Sequence, residues 1–259
     1  MIRPESCAVV IPCFNESATI AALVGELRQH LATVIVVDDG SADDTAAQAL
    51  GAGATVARHL KNCGKGAALK TGFAAALKSE FEWAVAMDGD GQHKPQDLPA
   101  FLRCAEQTNA RLVVGNRMHN AQAIPWFRRH INRWMSRRIS QRAGQPLPDS
   151  QCGFRLVNLK TWSGLHLETN HFETESEMLL AFVRAGHRIQ FVPIQVVGRG
   201  PHSHIRPFRD ACRWLQWWNR SRSELPAHSA PPPHGATDEV VARASRHQDG
   251  QNRGTVRSL

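Results

Sequence analysis

Residues 83–93 read WAVAMDGDGQH, and this stretch decides the fold. The apolar run Trp83–Met87 suits a buried strand, and Gly89 and Gly91 leave the backbone after it free to bend. Such a strand carries Asp88 and Asp90 outward from its C-terminal end. Two hard oxygen ligands at that spacing, with the Gln92 amide next in line, suit a divalent cation that also grips a diphosphate. Glycine and aspartate are also ordinary turn residues, so the stretch alone leaves both readings open.

Working outward, short β-rich runs alternate with helical ones. The expected strands are Cys7–Ile11, Thr33–Asp38, Ala54–Ala57, Trp83–Met87 and Leu112–Val114, with helices between them at about 17–31, 42–50, 65–80 and 96–106. Ser41 is the expected N-cap of the second helix, with Asp43 and Asp44 in its first turn. This order predicts an α/β fold whose mainly parallel central sheet is flanked by helices. Sites in such sheets lie beyond the carboxyl ends of the strands, where Asn15–Glu16, Asp38–Asp39 and Asp88–Asp90 all fall. Three polar clusters along one edge point to one shared site.

Downstream, Pro125–Gly144 has a helical pattern and contains Arg128, Arg129, Arg133, Arg137, Arg138 and Arg142. Phe127, Ile131, Trp134 and Met135 form an apolar stripe among these arginines. Gly153–Asn158 reads as a strand, Glu173–Ala185 as a helix and Arg188–Val197 as a final strand. A last amphipathic helix, about 207–222, is rich in tryptophan and arginine. The expected domain covers 1–222, and a disordered tail of Pro, Ser, His and Arg follows at 223–259.

Composition narrows the partners. The chain has 259 residues, 42% of them hydrophobic, and a net charge of +8. No run approaches the roughly 20 apolar residues of a membrane span. The N-terminus enters a strand directly, so no secretory signal is expected. Six scattered cysteines lack a C-x-x-C pair and read as reduced thiols, Cys7 facing the core. Between Glu106 and Asp149 there is no acidic residue but eight arginines, a block that calls for an anionic partner or a membrane surface. Asn62–Gly66 lacks the flanking residues of a P-loop, and Gly51–Gly53 precedes a strand, so neither is a nucleotide fingerprint of the common kinds.

The motifs VVIPCFNE at 9–16, VVDDGS at 36–41, NCGKG at 62–66 and MDGDGQH at 87–93 together resemble the family 2 inverting glycosyltransferases. GNR at 115–117, DSQCGFR at 149–155, FETESE at 172–177 and SHIRPFRD at 203–210 resemble the dolichyl-phosphate-mannose-synthase-like, polyprenyl-phosphate branch. The likeness spans about residues 7–215. It implies a GT-A-type nucleotide-sugar-binding fold. In that reading Pro12, Asn15, Glu16, Asp38 and Asp39 hold the nucleoside, although Asp38 could instead form an Asx turn. Asp88, Asp90 and Gln92 hold Mg²⁺ or Mn²⁺, and Lys65, Arg117 and Arg199 meet the diphosphate or close over the donor. Gln151, Arg155, Ser203 and His204 fall on the acceptor side. Many relatives have lysine at the place of His204, which leaves its role open, and His202–His204 is no zinc site by itself.

The acceptor decides the chemistry. A hydroxyl must lose a proton to a carboxylate base, for which Asp149 and Glu175 are candidates; Glu173 and Glu177 are not ranked out by sequence. A lipid phosphate is already ionised and needs only cationic positioning, which the basic 117–142 segment favours. The expected catalytic set is therefore Asp90, Asp149, Glu175 and Arg117. The expected function is metal-dependent transfer of a sugar from a UDP- or GDP-sugar to a polyprenyl phosphate. The protein would lie in the cytoplasm, peripherally bound to the inner membrane face through its basic amphipathic helices. Transfer to a lipid or glycan hydroxyl is the alternative. A nucleotidyltransferase would need a Gly-rich basic loop after strand 1, which CFNES is not. A nucleic-acid binder or scaffold would explain the charge but not the aligned carboxylates, so no nucleic-acid partner is expected.

Overall fold

The computed structural model describes residues 2–119, 124–196 and 207–221, all within one unit, Met1–Ser223. Its frame is a seven-stranded sheet built from β1 (Cys7–Cys13), β2 (Thr33–Asp38), β3 (Thr55–Arg58), β4 (Trp83–Ala86), β5 (Leu112–Asn116), β6 (Arg155–Asn158) and β7 (Ile189–Pro193). The strand order is β3-β2-β1-β4-β6-β5-β7. All neighbours pair in parallel except β6, which runs antiparallel to both β4 and β5. The expectation of a mainly parallel sheet thus meets one reversed strand, inserted between two strands that precede it in sequence.

Eight helices are described: α1 (Ile20–Leu27), α2 (Thr45–Gly51), α3 (Lys65–Lys78), α4 (Leu98–Thr108), α5 (Trp126–Ala143), α6 (Leu159–Ser163), α7 (Thr174–Arg184) and α8 (Pro207–Arg220). With helices against it, β1 is apolar along its length rather than alternating, and six of its seven residues are buried. Pro12 follows the last β1–β4 pair, Val10–Ala86, so its missing N–H costs that ladder nothing. Phe101 of α4 stacks on Phe154, ahead of β6, with ring centroids 4.2 Å apart. The expected tail at 223–259 lies outside the described residues.

The local expectation at Ser41 changes, and two helices take a definite orientation. Ser41 does not cap α2, which starts only at Thr45. Its Oγ instead accepts from Asn15 N at 2.9 Å, while Asn15 Oδ1 accepts from Ala42 N, so the β1 and β2 loops are stapled together. Helix α5 has two stripes, and the inward one is Asn132, Met135, Ser136 and Ile139; Phe127, Ile131 and Trp134 remain exposed. In α8 the tryptophans at 214, 217 and 218 turn inward, because their large apolar area is better buried against the domain than left in solvent. Trp214 and Trp218 stack at 5.2 Å, and the Arg142 guanidinium lies 3.3 Å from the Trp218 ring centre.

Candidate active site

A cleft of about 800 Å³ opens beyond the carboxyl ends of β1, β2 and β4. Pro12, Glu16, Asp39, Lys65, Asp88, Asp90, Gln92, Arg117, Gln151, Glu173 and Glu175 line it.

Its acidic corner comes from the β1 and β4 loops. Asp90 accepts from the Gln92 backbone N–H at 3.0 Å and from the Gln92 amide at 2.6 Å. Burial, together with the neighbouring Asp88 charge, raises the Asp90 pKa above the usual carboxylate range. Burial and the same two aspartates push Glu16 up to about 7. Three carboxyl groups with Gln92 beside them therefore make an oxygen-rich corner in which negative charge is under-compensated. That donor chemistry fits a hard divalent cation at Asp88, Asp90 and Gln92. The backbone closes tightly beneath it: a Cβ on Gly153 would fall 2.4 Å from both Asp88 oxygens, so only glycine allows this approach.

Lys65, at the first turn of α3, does not stand free to meet a diphosphate. Its Nζ bridges Asp88 Oδ1 at 2.6 Å and Glu175 Oε1 at 2.7 Å. Burial works against its charge, but the two carboxylates outweigh that and raise its pKa. Burial likewise opposes ionisation of Asp88, yet Lys65 and His93 hold its carboxyl well below the usual range. Glu175 itself is buried on α7. The 170–174 segment leading into α7 lies directly on the start of α3, where Ala67 N donates to Asn170 O at 3.0 Å.

Arg117 and Asp149 form a second charged unit. Arg117 Nε and Nη2 each donate to an Asp149 oxygen at 2.8 Å, and Arg117 N adds a third bond at 3.0 Å. Asn132 of α5 completes the set with a 2.8 Å bond to Asp149 Oδ1. Asp149 is fully buried; burial opposes its charge, but Arg117 and Asn132 lower its pKa all the same. A carboxylate so enclosed holds Arg117 in place, which weighs against Asp149 as the base that a hydroxyl acceptor would need.

Other expected residues stand away from the cleft. Asp38 accepts from Ser41 N at 2.9 Å and lies 3.0 Å from Arg58 Nε, so it shapes its own loop, as the Asx-turn alternative anticipates. Asn15 staples two loops, as described above. Arg155 is buried and donates to the carbonyls of Ser150, Cys152 and Glu175, which corrects its placement on the acceptor; a guanidinium 1% exposed, with all three nitrogens bonded to backbone oxygens, is withdrawn from the cleft. Gln151 does line the cleft, and its amide donates to Ser150 Oγ and Ser176 Oγ. Asp39 lines it too, while organising the 59–64 loop through His59 Nδ1, Cys63 N and Gly64 N. Glu177 accepts from Glu168 N and Thr169 N and braces its own loop. Arg199, Ser203 and His204 lie outside the described residues. Sequence reasoning missed His93, which lines the cleft and has its Nε2 3.6 Å from Asp88 Oδ2; its place right after Gln92 was the available signal.

Towards the mouth of the cleft the lining includes the partly exposed Ile124, Pro125, Phe127, Arg128 and Ile131, together with Arg209 and Arg213 of α8. Trp126 is 69% exposed beside them, and Trp134 44%.

Comparison with known proteins identifies the family and the fold. An undecaprenyl-phosphate mannosyltransferase of Micrococcus luteus is 30% identical over 73% of this chain and 83% of its own length. A UDP-N-acetylglucosamine–dolichyl-phosphate N-acetylglucosaminyltransferase of Methanococcus voltae is 27% identical over 73% of this chain and 84% of its own. Among solved structures, glucosyl-3-phosphoglycerate synthase of Mycobacterium tuberculosis with Mn²⁺, UDP and glucosyl-3-phosphoglycerate superposes with a TM-score of 0.65. It covers 86% of this chain and 81% of its own at 22% identity, a likeness of fold: the GT-A arrangement. The family description "Glycosyl transferase family 2" fits residues 8–161, and the chain belongs to that family.

Proposed function

We propose that this glycosyltransferase moves a sugar, with inversion, from a UDP- or GDP-sugar to a polyprenyl phosphate at the cytosolic membrane face. The observation that carries this reading is the state of the two candidate bases. Asp149 is locked to Arg117 and Glu175 to Lys65, so neither is a free carboxylate poised to take a proton; Glu173 also lines the cleft, and the acceptor test below decides whether it serves as a base. An acceptor that is already ionised needs no base. A phosphate oxygen attacks the anomeric carbon, the bond from that carbon to the diphosphate breaks, and the nucleoside diphosphate leaves. Names of the relatives described above, two of which use polyprenyl phosphates, support the same acceptor class.

Each wall of the cleft has a part in this reaction. Pro12 and Asp39 take the nucleoside, and Asp88, Asp90 and Gln92 would hold Mg²⁺ or Mn²⁺. Once bound, the ion supplies Lewis-acid neutralisation of the departing diphosphate. Lys65 fixes Asp88 for that task and brings α7 against α3. Arg117, made rigid by Asp149, offers a cation to the incoming phosphate. The exposed apolar and basic residues at the mouth suit a lipid chain and anionic headgroups. The test offers polyprenyl phosphate and the corresponding polyprenol with labelled UDP- and GDP-sugars, and identifies products by mass. Transfer to the phosphate alone is expected. Transfer to the polyprenol would replace this reading with the hydroxyl-acceptor one.

A further inference from the structure

Glu173 lines the cleft and is only 8% exposed, yet its Oε2 has no hydrogen-bond partner among the described residues. A buried carboxylate oxygen without a donor is costly, and such atoms are few in folded proteins. Its backbone is fixed: the Glu173 carbonyl accepts from Ser176 N and Glu177 N at the head of α7, on the segment clamped to the start of α3. Two residues on, Glu175 pairs with Lys65, which in turn reaches Asp88. Phe172 also lines the cleft, 5.7 Å from Lys65 Nζ. Glu175, Lys65 and Asp88 link this wall to the corner where the proposed function holds the diphosphate, and Glu173 and Arg117 line the same cleft.

We propose that Glu173 accepts a hydrogen bond from a hydroxyl of the donor sugar and so selects which sugar is transferred. This rests on the glycosyltransferase reading above. Neutral sugar hydroxyls are donors of the kind this cleft-lining carboxylate lacks, and Phe172 supplies an apolar surface for a sugar face. A site that hydrogen-bonds a substrate hydroxyl discriminates strongly against the analogue without it, because its own polar atom is then left unpaired. Glu173 is a specificity residue in this scheme, in which the already ionised acceptor leaves it no proton to take.

The test measures binding of UDP-glucose, UDP-N-acetylglucosamine and GDP-mannose, and of UDP and GDP alone, by calorimetry with Mn²⁺ present. Wild-type protein is compared with Glu173→Ala and Glu173→Gln. Glu173→Ala is expected to weaken the preferred nucleotide sugar about tenfold or more, as loss of a charge-assisted hydrogen bond does. Binding of the bare nucleoside diphosphate should stay within about twofold, which also shows that the variant is folded. Glu173→Gln, which keeps one acceptor oxygen, should fall between the two. A preferred donor deoxygenated at the contacted position should bind wild type and Glu173→Ala alike. Equal loss for sugar-linked and bare nucleotides, or no loss for either, overturns the inference while leaving the transferase reading intact. If wild-type protein binds no nucleotide at all, both fall together.

Discussion

Asp149 shows how a single buried side chain can fix the geometry of a neighbouring cation. Its two oxygens hold Arg117 in a bidentate grip, and Asn132 ties that pair to α5. Asp149→Asn keeps the shape and removes the charge, leaving Arg117 beside a neutral amide. Breaking one side of a buried pair is expected to cost about 3 kcal/mol, or roughly 6–12 °C of melting temperature for a domain of this size. The pH dependence has a definite sign. A carboxyl held below its usual range binds its proton less readily folded than unfolded, so its contribution is complete above about pH 4 and fades as the pH falls towards the folded value. Calorimetric melts should therefore show the gap between wild type and Asp149→Asn narrowing only in acid. Asp88 and Asp90 were legible in the sequence because a strand end dictates where such residues point. Partners of Asp149 and Lys65 were not, since Lys65 and Glu175 meet across 110 residues. Contacts of that range leave no local periodicity to read.

At the scale of the element, α5 and α8 show what a helical pattern leaves undecided. Period alone identifies a stripe; it does not say which of two stripes faces the core. In α5 a mixed face takes the interior: Met135 and Ile139 are buried there, and Asn132 and Ser136 find partners, Asn132 reaching Asp149 while Ser136 Oγ donates to Asn132 Oδ1 and lies 3.1 Å from Ser150 Oγ. The apolar face then stays outside, with Phe127 and Ile131 at the cleft mouth. In α8 the opposite holds, and Trp214 donates its indole N–H to Ser176 Oγ at 3.0 Å. These two helices should respond differently to substitution. Trp126→Ser combined with Ile131→Ser is expected to leave the melting temperature within about 2 °C, since exposed sites contribute little. The same pair should reduce co-sedimentation with vesicles containing phosphatidylglycerol at low salt severalfold. Trp214→Ala is expected to cost about 3–5 kcal/mol, as large core truncations do. Vesicle binding that is unchanged in the double variant would remove α5 from the membrane-contact proposal.

For the whole molecule, the sheet edge gathers more negative charge than it can neutralise by itself. Lys65 bridges Asp88 and Glu175, while burial and the neighbouring carboxylates raise the pKa of Asp90 and of Glu16. Because Glu16 is raised from 4.5 to about 7, the folded protein holds that proton longer than the unfolded chain does. Its contribution is whole below the unfolded value and is lost as the pH rises through about 7. Metal-free protein should accordingly melt lower at pH 8 than at pH 6, and Glu16→Gln should flatten that decline. Millimolar Mn²⁺ should restore stability most at pH 8, where no proton competes for the corner. Scanning fluorimetry in EDTA and in Mn²⁺ checks all three; a stabilisation by Mn²⁺ that is indifferent to pH would count against the carboxylate corner as its site. The overall α/β plan was legible because alternating strands and helices admit few solutions. The reversal at β6 was not, for a four-residue buried run gives no sign of its direction.

That reversed strand also sets the order in which the molecule can be assembled. Strands β5 and β7 join the sheet only through β6, which is the last of the three linking strands β4, β5 and β6 to leave the ribosome. Until Asn158 has emerged, β4 presents an unpaired edge and β5 has nowhere to dock. Glu175, Lys65's second anchor, follows later still. The nascent chain therefore holds a half-built, sticky sheet through some seventy residues of synthesis, an interval in which a chaperone has the most to protect.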